Sequence, residues 1–213
     1  MKIYSYPLGM IYTNCYIVTN EDTKEGLIID PSDQAADIKA RIQELEITPV
    51  AILLTHGHFD HIMAAKDLKE TYHIPVLAGE KEKAMLEDYN LNGTLSVGRN
   101  YTLSADRLLK DGEELTLGGL KIKVIHTPGH TAGSVCYYFE KEKVLLSGDT
   151  LFLESVGRTD MPTGNTHDLL ESLNRKLMLL PDDVIVYPGH GDKTAIGHEK
   201  ANNPFIGSRN MWD

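Results

Sequence analysis

The chain has 213 residues, 41% apolar and 24% charged, with a formal net charge of −10. That length buries a large core and reads as one domain over residues 1–213. The negative balance, with no run of Lys or Arg, argues against nucleic acid and anionic membranes as partners.

In chain order, strands are predicted at 2–6, 15–19 and 26–30. The N-terminal segment holding the first two is broken by Pro7 and Gly9 and has no small-residue cleavage site, so it does not read as a signal peptide. A helix is predicted over 34–46, with Ile38, Ile42 and Leu45 on one face and Ser32 or Asp33 as its cap. Residues 50–55 form a short apolar strand of the buried type. Helices follow at about 61–72 and 80–89. Strands then cover 113–117, 120–126, 134–139 and 144–147, the first two joined by Gly118-Gly119 as a two-residue hairpin turn. A helix over 166–179 carries the stripe Leu169, Leu173, Leu177 and Leu180, capped by Asn165 or Thr166. A buried strand at 184–187 and a short helix around 197–202 complete the pattern. No apolar run is long enough to span a bilayer, and a cytoplasmic protein is expected. Cys15 and Cys136 fall in strand-like runs and read as reduced, buried thiols. Periodicity alone supports mixed α and β structure.

The informative stretch is Thr55-His56-Gly57-His58-Phe59-Asp60-His61, between a buried strand and a helix. Carboxyl ends of strands are where α/β sheets place their sites. Residues two apart in an extended loop point the same way, so His56 and His58 can converge on one ion. Asp60 and His61, where the chain turns into the helix, can face a second point. His130, Asp149 and His190 each follow a strand in a Gly- or Pro-containing loop, which lets backbone approach a crowded centre. Imidazole and carboxylate suit zinc, iron or manganese.

This pattern resembles the metallo-β-lactamase superfamily, and most closely its small glyoxalase II-like hydrolases, over nearly the whole chain. The resemblance implies an α/β (α+β) fold, the four-layer α/β/β/α sandwich of the metallo-β-lactamase fold. It implies two divalent ions, zinc foremost, with iron or manganese as alternatives. One would be held by His56, His58 and His130, the other by Asp60, His61 and His190, with Asp149 bridging. It further implies hydrolysis of a small, anionic thioester by a metal-bridging hydroxide that attacks the acyl carbonyl, with Asp60 and Asp149 as the catalytic carboxylates.

Arg158 corresponds to a basic residue that holds a glutathione carboxylate in glyoxalase II relatives. It is either a substrate anchor or the partner of Glu154 or Asp160. Asp160 replaces an expected aromatic residue, the loop after His190 lacks a substrate-contacting Tyr, and the larger helical domain is missing. A broad, short thioester hydrolase fits these departures better than a dedicated hydroxyacylglutathione hydrolase. The segment Gly157-Arg158-Thr159-Asp160 is also similar to mononuclear iron persulfide dioxygenases, which need only the ligands matching His56, His130 and Asp149. The full set of seven favours two metals. Asp149 and His61 depart from the main zinc β-lactamase pattern, which uses Cys. A non-catalytic binding module would be expected to lose ligands, and none is lost.

Asp30, ending an apolar strand before Pro31, is either an acceptor behind a ligand histidine or a turn residue. His126 reads as packed or exposed, and His73, His167 and His198 as surface residues. Trp212 is expected to pack against the body or a partner.

Overall fold

The computed structural model describes residues 1–207; Trp212 lies outside the described residues. The elements run β1 (Lys2–Leu8), β2 (Thr13–Thr19), β3 (Glu25–Ile29), α1 (Ala35–Glu44), β4 (Thr48–Leu53), α2 (Phe59–Ile62), α3 (Ala65–Tyr72), β5 (Val76–Gly79), α4 (Lys83–Glu87) and β6 (Arg107–Leu109). They continue β7 (Glu114–Leu117), β8 (Leu120–His126), β9 (Val135–Phe139), β10 (Val144–Gly148), β11 (Leu151–Phe152), β12 (Ser155–Val156), α5 (Thr166–Arg175), β13 (Ile185–Pro188), β14 (Thr194–Ala195) and α6 (Ile196–Asn202).

Two six-stranded sheets carry the fold, ordered β1-β2-β3-β4-β5-β6 and β14-β13-β10-β9-β8-β7. Their alternating side chains sort into three apolar layers, as a period of two requires. Tyr16 and Val18 of β2, Leu53 of β4, Val135 and Tyr137 of β9 and Leu146 of β10 fill the layer between the sheets. Cys15 and Ile17 of β2, with Ile52 of β4, face outward and pack with Ile38 and Ile42 of α1 and Leu68 of α3. Cys136 and Tyr138 of β9, with Leu145 of β10, face the opposite way and cover Leu169 and Leu173 of α5. The result is the four-layer α/β/β/α sandwich of the metallo-β-lactamase fold.

The hairpin at Gly118-Gly119 forms as expected. Both glycines have positive φ, 54° and 71°, and Leu117 pairs with Leu120 across the turn. Asn165 caps α5 by accepting a hydrogen bond from the Asp168 amide.

Four expectations are corrected. The helix expected over 166–179 ends at Arg175, where Lys176 leaves helical geometry, and a 3-10 turn at Leu177–Leu179 follows. The residue that precedes α1 is Gln34, with φ 55°, and no side chain caps the helix. Asp33 instead accepts from the Gln34 amide at 2.7 Å. The helix expected over 61–72 is two helices, α2 and α3. The Met63 and Ala64 amides bond to the Ser32 and Pro31 carbonyls, so tertiary partners replace the helical ladder there. The helix expected over 80–89 is a 3-10 turn at Glu80–Glu82 followed by α4, which stops where Asp88 turns extended and accepts from the Asn90 amide. Among the described residues, no helix is long and apolar enough to cross a membrane.

Candidate metal centre

Four loops deliver the seven residues singled out from the sequence to one place. The segment after β4 carries His56, His58, Asp60 and His61 into α2. The loops after β8, β10 and β13 add His130, Asp149 and His190. Crowding explains the glycine before His190: a Cβ on Gly189 would overlap Asp149 Oδ1 and lie 2.8 Å from His61 Cε1.

His56, His58 and His130 offer donor atoms within 4.8 Å of one another, as do His56, His61 and Asp149, and Asp60, His61 and His190. These overlapping sets form one cluster. Asp149 lies between its ends. Its Oδ2 is 3.6 Å from His130 Nε2 and 3.5 Å from His190 Nε2, and its Oδ1 is 3.4 Å from His61 Nε2. The site therefore contains every member of the predicted set.

The outer nitrogens of three histidines are tied down. His130 Nδ1 donates to the Arg158 carbonyl at 2.7 Å, and His61 Nδ1 to Asp30 Oδ2 at 2.9 Å. His56 Nδ1 lies 3.1 Å from Thr55 Oγ1. The Thr55 hydroxyl donates onward to Asp30 Oδ2 at 2.6 Å. Each outer bond fixes a tautomer and turns Nε2 inward. Asp30 is thus the acceptor behind a cluster histidine, and it also receives the Thr55 amide at 2.7 Å.

Among the described residues, the buried side-chain nitrogen and oxygen atoms without a hydrogen-bond partner are His56 Nε2, His58 Nε2, His61 Nε2 and Asp149 Oδ1. Buried polar atoms are nearly always paired, and His56, His61 and Asp149 form one set whose donor atoms lie within 4.8 Å of one another, so their orphans call for a ligand; His58 instead turns Nδ1 toward the cluster, 2.9 Å from His130 Nε2. Lone pairs of imidazole and carboxylate suit a divalent cation.

The charge states agree. Burial, aided by the neighbouring histidines, holds His56 well below the ordinary histidine value and lowers His58 to about 4. Burial also opposes charge on His61, but Asp60, Asp149 and Asp30 outweigh it and push His61 well above that value. Burial likewise opposes ionisation of Asp60 and Asp149. His61 and the other histidines overcome it and hold both carboxyls below the usual carboxylate range. Without metal, a proton on His61 supplies positive charge that the carboxylates demand.

The remaining candidates fall around this centre or away from it. Arg158 is exposed and pairs with Asp160 through two hydrogen bonds, of 2.6 and 2.7 Å. Glu154 is taken by His198 at 2.9 Å. His126 bonds the Ala132 carbonyl at 2.9 Å, His167 is exposed, and His73 closes α3. Sequence reasoning missed Thr13, whose hydroxyl donates to Asp60 Oδ2 at 2.7 Å. It also missed Asn14 and Tyr16, which donate to the Pro188 carbonyl at 3.0 and 2.6 Å and anchor the His190 loop. Buried Glu82 was missed too; it bonds Gly57 and Thr131 in two of the cluster loops. The only signals for these residues were local: polar side chains inside apolar strands, and an acid near a helix start.

Residues 8–190 match the metallo-β-lactamase superfamily. The chain is 36% identical to hydroxyacylglutathione hydrolase GloC of Haemophilus influenzae, covering 98% of this chain and 100% of that one. Its structure is similar to that of the BLEG-1 B3 metallo-β-lactamase, with 45% identity and TM-score 0.92 over 97% of this chain and 100% of that one. It is also similar to TTHA1623 in a di-iron-bound form, with 35% identity and TM-score 0.86 over 95% and 100% of the two chains. The chain belongs to the metallo-β-lactamase superfamily. Family and cluster together support a metal-dependent hydrolase that binds divalent metal.

Proposed function

We propose that the chain is a dinuclear, zinc-dependent hydrolase of small anionic thioesters, working in the cytoplasm with neither nucleic acid nor membrane as partner. His56, His58 and His130 would hold one ion and Asp60, His61 and His190 the other, with Asp149 available to both. The observation that carries this reading is the set of unpartnered buried atoms on His56, His61 and Asp149, whose donor atoms lie within 4.8 Å of one another. Divalent ions held there would supply Lewis acidity toward an acyl carbonyl and toward water.

The protein's own groups fit hydrolysis by water. Asp60, ionised and held through Oδ2 by Thr13, orients a water that faces it. Asp149 is ionised between the two halves of the cluster and balances their positive charge. The thiols offer no covalent route. Cys15 and Cys136 are fully buried, and burial pushes the Cys136 thiol up to about 11 and the Cys15 thiol higher still. Arg158 rests on Asp160 in an exposed pair, which a substrate carboxylate can displace because such pairs contribute little.

The likeness to GloC supports a thioester substrate, and the di-iron form of TTHA1623 keeps iron as the rival metal. The likeness to BLEG-1 supports a second reading, hydrolysis of a β-lactam amide. One experiment separates these readings. Metal content is measured on the purified chain, and hydrolysis of S-lactoylglutathione, other thioesters and a β-lactam is screened with His58→Ala as control. Two ions per chain and thioester turnover that His58→Ala abolishes are expected. Turnover of the β-lactam alone refutes the thioester reading. One iron with oxygen uptake on a persulfide refutes hydrolysis, and metal and activity intact in His58→Ala refute the centre itself.

A further inference from the structure

Glu82 is 1% exposed, yet its partners among the described residues are uncharged. Oε1 accepts the Gly57 amide at 2.8 Å. Oε2 accepts the Thr131 hydroxyl at 3.0 Å. The packing is tight: a Cβ on Gly133 would overlap Oε2, and one on Gly57 would lie 3.3 Å from Oε1.

These contacts have a common consequence. Gly57 stands between His56 and His58, and Thr131 follows His130. One carboxylate therefore joins the two loops that bring His58 Nδ1 and His130 Nε2 to 2.9 Å. The other half of the cluster is held by different groups, with Asp30 behind His61 and Thr13 behind Asp60. A buried carboxylate without a cation is expensive, and an apolar residue would serve packing better.

We propose that Glu82 is a positioning residue that fixes His56, His58 and His130 as a unit, so that it sets the metal affinity of that half of the centre and leaves the other half unaffected. The inference rests on the two-ion reading above. Glutamine in its place keeps one acceptor for Gly57 but turns an NH2 toward the Thr131 hydroxyl, which loses the acceptor of its proton, and the join loosens on the His130 side.

The test uses the full chain loaded with zinc and labelled with 15N at its histidines. A graded chelator strips the metal while the imidazole resonances report which residues have lost it. Contacts behind metal ligands typically govern affinity by 10–100-fold, so in Glu82→Gln the His56, His58 and His130 signals should convert at about tenfold lower chelator activity. The His61 and His190 signals should convert as in wild type. Thr131→Val, which keeps the carboxylate and removes one contact, should shift the same three signals in the same direction, by less. If Glu82→Gln does not fold, Thr131→Val decides alone. Unshifted variants, or both halves shifting together with a falling Tm, overturn the proposal. A wild-type chain that holds no zinc overturns the two-ion reading as well, whereas zinc-binding wild type with unshifted variants overturns only the role of Glu82.

Discussion

Asp30→Ala removes the acceptor of three buried donors: the Thr55 amide at 2.7 Å, the Thr55 hydroxyl at 2.6 Å and His61 Nδ1 at 2.9 Å. The hydroxyl still accepts from His56 Nδ1 at 3.1 Å but loses the acceptor of its own proton. The amide and the imidazole likewise lose the acceptor they donate to. A buried donor left unpaired costs about 1–3 kcal/mol, more when its partner was charged, so the metal-free fold should lose about 3–5 kcal/mol. Urea unfolding in the presence of chelator measures this as a lower midpoint at unchanged slope. Asp30→Asn should lose less, since its carbonyl still accepts the Thr55 amide. With zinc restored, His61 is no longer aimed, and affinity in its half of the centre should fall about 10–100-fold. A stability loss below about 1 kcal/mol at unchanged slope, with zinc affinity intact, would refute the reasoning.

Gly189→Ala puts a methyl group onto Asp149 Oδ1 and His61, so zinc content should drop while the sheets stay folded; far-UV circular dichroism beside metal analysis checks this. Arg158→Ala should raise KM for anionic thioesters and leave kcat and Tm unchanged, because the residue is exposed; an unchanged KM removes it from the substrate site. Burial pushes Glu82 in the metal-free fold from 4.5 up to about 7, so the native state binds the extra proton between those values. The stability from Glu82 is thus fully present below about pH 4.5 and lost as pH rises through about 7, a change of about 3 kcal/mol. The stability difference between wild type and Glu82→Gln, measured by urea unfolding with chelator, should decline over that window, and a flat difference contradicts the assignment.

The fold was legible where an apolar run or a period held for several residues. The continuous runs of β2, β9 and β10, buried at every position, and the stripe of α5 needed no tertiary information to be seen. β5, β6, β11, β12 and β14 have two to four residues each and too few alternations to carry a pattern. The split between α2 and α3 was hidden for another reason. Its cause is the carbonyls of Pro31 and Ser32, thirty residues back in the chain, and no local propensity encodes them.

The same division runs through the site. His56, His58, Asp60 and His61 share one short segment, so their chemistry was visible as spacing. His130, Asp149 and His190 were visible because each ends a strand beside a glycine. The groups that aim them were not, since each acts across the chain: Thr13 on Asp60, Tyr16 on Pro188, Glu82 on Gly57 and Thr131. A ligand must be one of a few residue types, whereas its support need only present an oxygen at the right point, and almost any polar side chain can do so. Asp30 was the exception because a carboxylate at the end of a buried strand has few ways to be satisfied without a histidine or a backbone amide. Glu82 is equally buried, but it lies next to a helix start among Lys81 and Lys83, where an acid reads as solvated surface. Only the packing of Gly57 and Gly133 against its carboxylate turns that reading around.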